Sequence, residues 1–267
     1  AGAPLVPCGT CEDCQRGDYS LCGHYSFIGT RQPGSFAEYV VIPEKCAVPF
    51  DSSVSYEQAA LIEPTAVALH GLERLDYHGG GTVAVLGGGT IGIITAQWAK
   101  AFGAREVTVF DILPDRLEFA RKMGATATVN SMDENWKVNA ITNGRGYDYV
   151  IETAGSVATM KMIFDIVANK GQASLIGKIN RDITFTPQEW EHLHRREFTL
   201  TGSWLSYSAP FPGHEWTLTA DAYRSGMMPY DEGFIYARYP LSKISEAFDE
   251  FKTPGRVKGK ILLDCEH

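Results

Sequence analysis

The stretch Thr82-Val83-Ala84-Val85-Leu86-Gly87-Gly88-Gly89-Thr90-Ile91-Gly92 decides the fold of this chain. A short apolar run rich in β-branched residues runs into G-x-G-x-x-G, and Ile91 to Phe102 then follows with helical periodicity. Alone, the glycine pattern says little; between a strand and a helix it sits where a dinucleotide site needs it. Glycine lets the backbone turn sharply and approach a pyrophosphate, whose charge meets the free amides and positive dipole end of the helix. Gly87, Gly89, Thr90, Ile91 and Gly92 are therefore predicted to bind a dinucleotide. The plain alternative is a glycine turn that only packs a helix on a sheet.

Working outward, Glu106 to Phe110 reads as the next strand, and Asp111 stands at its end, nineteen residues after Gly92. A carboxylate there can accept hydrogen bonds from both ribose hydroxyls of an adenosine and would repel a 2′-phosphate, so the expected cofactor is NAD rather than NADP. Arg116, expected with Asp111 among the cofactor-binding residues, is the nearby cation that works against this selectivity. Helix 115–123, strand 147–152, helix 157–168 and strands 172–176 and 199–202 continue the alternation. Continuous apolar strands suit a parallel sheet covered on both faces. The turns after two of these strands carry Thr153 and Gly177, which should border the nicotinamide half of the cofactor.

Upstream the chain has another character. Cys8, Cys11, Cys14 and Cys22 form a C-x2-C-x2-C-x7-C run, close enough to supply four thiolates to one tetrahedral zinc. Four sulfur ligands leave no position for water or substrate, so this metal would hold the fold. Free thiols, disulfides or an iron–sulfur cluster are the alternatives. Residues 34–49 read as two short strands, and from Ser55 a helical pattern begins that Pro64 bends or restarts. After Tyr230 a strand, a helix over 242–251 and a strand over 259–264 complete the pattern. The organisation predicted is a β-rich part with a zinc lobe over 1–54, a dinucleotide-binding domain over 55–228, and a return to the β-rich part over 229–267.

With 267 residues and 44% hydrophobic content the chain can bury a large core. Thirty-two acidic residues against 24 basic ones, net −8, argue against a nucleic-acid surface. No apolar run reaches the length of a membrane span, and the opening AGAPLVPCGT lacks the basic region of a signal peptide. A small-molecule substrate and a cytoplasmic location are expected. That opening reads as a chain entered partway along a strand, with several tens of residues before it in the intact protein.

A four-cysteine loop, then Glu63-Pro64 on a helix, then the glycine unit with Asp111 resembles the order in zinc-dependent medium-chain alcohol and polyol dehydrogenases. The blocks YSFIGTRQPGSFAEYVV, ALIEPTAVALHG, LGGGTIG and GSWLSYSAPFPGHEW carry the likeness over nearly the whole chain. The resemblance implies an α/β fold: a doubly wound Rossmann domain plus an incomplete GroES-like catalytic domain with its structural zinc lobe. It also implies hydride transfer from a secondary alcohol of a polyol or polyol phosphate, galactitol 1-phosphate-like or of the sorbitol and xylitol kind, to NAD. A second, catalytic zinc is implied, with Glu63 as ligand or close neighbour and a cysteine and His-Glu pair from sequence before Ala1; as a Lewis acid it would lower the pKa of the substrate hydroxyl. Arg31, inside the first block, is the candidate partner of a substrate phosphate, and a homo-dimer or tetramer is implied as well. His214-Glu215 imitates the His-Glu pair but follows the dinucleotide region with no cysteine nearby, and is read as a surface or pocket-lining pair. An NAD-binding form without turnover is the non-catalytic alternative.

Overall fold

Six parallel strands, β3 (Thr82–Leu86), β4 (Glu106–Asp111), β5 (Ala127–Asn130), β6 (Tyr147–Glu152), β7 (Val167–Leu175) and β8 (Thr199–Gly202), lie in the order β5-β4-β3-β6-β7-β8 in the computed structural model. The structure describes residues 1–133, 141–253 and 255–265. Strand order reverses between β3 and β6, where Leu86 lies beside Glu152, so the loops leaving these two strands diverge and open a crevice at the carboxyl edge. Every residue of β3 is buried, which explains its unbroken apolar run.

Helices α4 (Thr90–Ala101), α5 (Pro114–Lys122), α6 (Val157–Ile166) and α7 (Pro187–Arg196) belong to the same unit, residues 67–204. Trp98 of α4 and Tyr147 of β6 are fully buried, and Phe110 of β4 meets the Tyr147 ring edge-on at 5.9 Å. Each such aromatic contributes about 3 kcal/mol through burial. The α7 helix, absent from the sequence reading, had a usable signal: Thr186 accepts from the Glu189 N–H and Glu189 reaches back to Thr186. Strand β5 was also missed, being short and half-buried.

Residues 1–66 and 205–267 form the other unit. Strands β1 (Leu5–Val6) and β2 (Ser26–Phe27) pair antiparallel around the cysteine loop, which carries the short helix α1 (Glu12–Arg16). Ser55 caps α2 (Tyr56–Ala60) through a reciprocal pair with Gln58, and Pro64 falls in the first turn of α3 (Ile62–Glu73), where its missing N–H is harmless. Helix α8 (His214–Ser225), the parallel strands β9 (Ile235–Pro240) and β10 (Lys260–Asp264) and the short α9 (Ile244–Asp249) complete it.

Two expectations differ from this. The strands read over 34–49 do not form: that stretch contributes a single bridge, Ala47 to Gly2, while Tyr39 and Val41 stand 89% and 93% exposed. A strand needs a pairing ladder besides its side-chain pattern, and no described residue supplies one to 34–43. The compact units also divide at 66/67 and 204/205 rather than at the expected 54/55 and 228/229. Residues 205–228 join the cysteine loop because the Leu5 N–H donates to Tyr207 Oη (3.1 Å), the Tyr207 N–H donates to Ser20 Oγ (3.1 Å), and fully buried Trp216 stacks on Tyr207. Among the described residues no helix is long and apolar enough to cross a membrane.

Candidate functional site

The glycine turn lies at the carboxyl end of β3. Gly87 has φ +108°, open to glycine at little cost. Gly92 allows the closest approach: a Cβ there would lie 1.8 Å from the Gly87 carbonyl oxygen. Thr153, at the end of β6, locks the turn from the other side of the crevice, its Oγ1 donating to the Leu86 and Gly87 carbonyls at 3.0 and 3.1 Å. No side chain caps α4 at Gly89, so the amides of its first turn are left to a ligand, with Thr90 and Ile91 beside them.

Asp111 is buried at the end of β4 and comes directly against the turn. Its Oδ2 accepts from the Gly88 N–H at 2.7 Å and its Oδ1 from the Leu113 N–H at 2.9 Å. The Arg116 Nη1 lies 3.7 Å from Oδ2. Turn, uncapped helix start and carboxylate fit an adenosine dinucleotide, and all of them stand in the 67–204 unit.

Gly177 follows β7, and its N–H donates to the Glu152 carbonyl at 3.0 Å. The sequence placed Glu152 at the end of its strand, beside the turn expected to border the nicotinamide, and gave its side chain no role of its own. Its side chain is fully buried; Oε1 accepts from the N–H groups of Ala154 (3.0 Å) and Gly155 (2.8 Å) and from Thr159 Oγ1 (2.7 Å). Burial pushes this carboxyl above the usual carboxylate range against those donors. The available signal was an acidic residue directly after the apolar pair Val150-Ile151 at the strand's end.

In the other unit the sulfurs of Cys8, Cys11, Cys14 and Cys22 all lie within 4.8 Å of one another, and the cysteines are free of disulfides. The Cys8 and Cys14 sulfurs are 3.9 Å apart, against about 3.8 Å along the edge of a tetrahedron with Zn–S bonds of about 2.3 Å. The N–H groups of Thr10 and Cys11 donate to Cys8 Sγ and pull that thiol down to about 5, while burial pushes Cys14 up to about 12. The donor set and spacing fit a structural zinc.

Glu63 borders a cavity of about 570 Å³ together with Phe36, Tyr56, Trp216 and Leu263. Burial pushes its carboxyl up, and Lys260 opposes the shift. Among the described residues Glu63 stands in no group of three or more converging metal-binding side chains, so a second zinc would find too few protein ligands among them. The Arg31 guanidinium lies 4.0 Å over the Tyr25 ring and donates to the Tyr25 carbonyl at 2.6 Å. Glu215 is buried and its Oε2 accepts from Ser208 Oγ at 2.6 Å, while His214 is exposed.

A doubly wound sheet with an acid-ended second strand, accompanied by a four-sulfur loop, defines a class of nicotinamide-dependent oxidoreductase. Residues 1–52 match the alcohol dehydrogenase GroES-like domain and residues 90–220 match the zinc-binding dehydrogenase domain. The chain belongs to the zinc-binding, medium-chain alcohol and polyol dehydrogenase family. It is similar to the galactitol 1-phosphate 5-dehydrogenase of Escherichia coli (strain K12), 37% identical over 98% of this chain and 76% of that protein. The crystal structure of galactitol-1-phosphate dehydrogenase from Escherichia coli superposes with a TM-score of 0.91 at 32% identity, over 98% of this chain and 76% of that one. A zinc-binding dehydrogenase from Sinorhizobium meliloti 1021 bound to NADP gives 0.86 at 31% identity, over 98% and 75%.

Proposed function

We propose that this chain is the core of an NAD-dependent dehydrogenase that oxidises a secondary alcohol of galactitol 1-phosphate or a closely similar polyol phosphate to the ketone, with hydride passing to the nicotinamide and one proton released. The observation that carries the cofactor reading is Asp111, whose carboxylate is fixed beside the glycine turn by the Gly88 N–H. Gly87, Gly89, Thr90, Ile91 and Gly92 receive the pyrophosphate, and Thr153 and Gly177 border the nicotinamide. Arg116 stands 3.7 Å from Asp111 and is itself drawn to that carboxylate, which leaves it poorly placed to take up a 2′-phosphate. The polyol phosphate reading is supported by the Escherichia coli relative, a galactitol 1-phosphate 5-dehydrogenase. Arg31 is the cation of this chain assigned to the phosphate, Glu63 the carboxylate assigned to a second metal, and the four cysteines hold the structural zinc.

The test is the absorbance of NADH formed with NAD or NADP, on galactitol 1-phosphate and on sorbitol. Turnover with NAD and the phosphate ester is expected, with NADP poorer by about tenfold or more in kcat/KM, a difference of about 1.4 kcal/mol. Equal use of NADP, or a preference for sorbitol, would overturn the corresponding half of the reading. An Asp111→Gly variant should narrow the gap between the two cofactors.

A further inference from the structure

Among the described residues, Glu152 is the one fully buried carboxylate at the crevice that the proposed chemistry leaves without a role. Its position is central. The backbone carbonyl accepts from the N–H groups of Ile176 (2.9 Å) and Gly177 (3.0 Å), tying β6 to the turn after β7. Through Oε1 the side chain gathers Ala154, Gly155 and Thr159, which fixes the turn after β6 to the first turn of α6. Its Oε2 is buried with no hydrogen-bond partner and occupies the space beside Gly177, where a Cβ would lie only 2.4 Å away. The next residue, Thr153, bonds the Gly87 turn. Glu152 joins the loops after β6 and β7, and its neighbour Thr153 ties them to the loop after β3.

A buried carboxyl oxygen without a donor destabilises the fold, which alone would do better with an apolar residue there. A group kept at such a cost is explained by what it positions. We propose that Glu152 is a positioning residue for the dinucleotide: it holds the loops after β6 and β7, and through the adjacent Thr153 the loop after β3, in their binding geometry before the cofactor arrives. The assignment rests on the cofactor site proposed above. The required property is an acceptor at Oε1, which glutamine retains and alanine removes.

The experiment is a titration of the purified zinc-loaded protein with NAD, followed by tryptophan fluorescence, for the parent, Glu152→Ala, Glu152→Gln and Thr159→Val. Circular dichroism and zinc content confirm that each variant is folded. Glu152→Ala is expected to raise the NAD dissociation constant tenfold or more, Glu152→Gln to stay within threefold of the parent, and Thr159→Val, which loses only the hydroxyl that donates to Oε1, to raise it three- to tenfold. A folded Glu152→Ala that binds NAD like the parent overturns the proposal. If alanine prevents folding, unchanged binding by Thr159→Val overturns it instead. A parent that binds neither NAD nor NADP defeats the cofactor site itself, which separates that failure from this one.

Discussion

Replacing Gly92 by alanine tests the geometry on which the cofactor site depends. The added methyl would lie 1.8 Å from the Gly87 carbonyl oxygen and 2.8 Å from Thr153 Oγ1, whereas real Cβ contacts essentially never fall below 3.0 Å. The start of α4 must therefore retreat from β3 by about 1.2 Å, the difference between 1.8 and 3.0 Å, and both neighbours are held: Gly87 by its bond to the Phe110 carbonyl, Thr153 by its bonds to Leu86 and Gly87. Forced repacking of this kind costs about 1–3 kcal/mol, which lowers the melting temperature by about 4–10 °C for a unit of this size. A displacement of about 1 Å at the pyrophosphate cradle should also weaken NAD binding by about 100-fold. Gly89→Ala is the control, since Gly89 has φ −75° and nothing within 4 Å of its Cβ position. That methyl fits the fold but enters the open mouth of the helix, so the melting temperature should stay within about 2 °C while NAD affinity falls. Thermal melts and NAD titrations read both variants. A Gly92→Ala protein with the parent's stability and affinity would refute the argument from close approach.

Further expectations concern the metal and an ion-paired carboxylate. Elemental analysis should find zinc bound to the cysteine loop, and Cys14→Ser should lose that metal and melt about 10 °C lower or more; retention of the zinc by this variant would disprove the ligand assignment. Asp148 of β6 is pushed up by burial, but the Arg145 guanidinium and the N–H and hydroxyl of Thr82 outweigh this and hold it below its ordinary value of 3.8. A carboxylate depressed in the folded state contributes stability that is fully present above the unfolded value, about 3.9, and is lost as the pH falls through the lower folded value. Asp148→Asn should therefore lower stability to urea at pH 7, with the gap to the parent narrowing as the pH falls through the folded value. A gap that stays constant over this range would contradict the pairing.

The strand–turn–helix at 82–101 was legible because each of its parts is local. An apolar run long enough for a buried strand, glycines where the backbone must turn, and a helical period all act within a few residues of one another, and the structure places β3 at Thr82–Leu86 as read. The spacing of Asp111 and of the four cysteines belongs to the same kind of information: chain geometry delivers residue types to a strand end or a loop whatever the rest of the protein does. Residues 34–43 carried an equally clear strand pattern and made no strand, because pairing depends on a partner from elsewhere in the chain. Glu152 looked like the last letter of a strand until Thr159, Ala154, Gly155 and Gly177 converged on it. Tyr207 and Trp216 read as part of the dinucleotide domain until the bonds of Tyr207 to Leu5 and Ser20, and the stacking of buried Trp216 on Tyr207, placed them with the cysteine loop. The sequence by itself determined the strand–glycine turn–helix at 82–101 and the close spacing of the four cysteines, which follow from short-range periodicity and spacing. Tertiary structure alone decided which buried polar groups meet and where the units divide, because those depend on desolvation and hydrogen bonding between residues far apart in the chain.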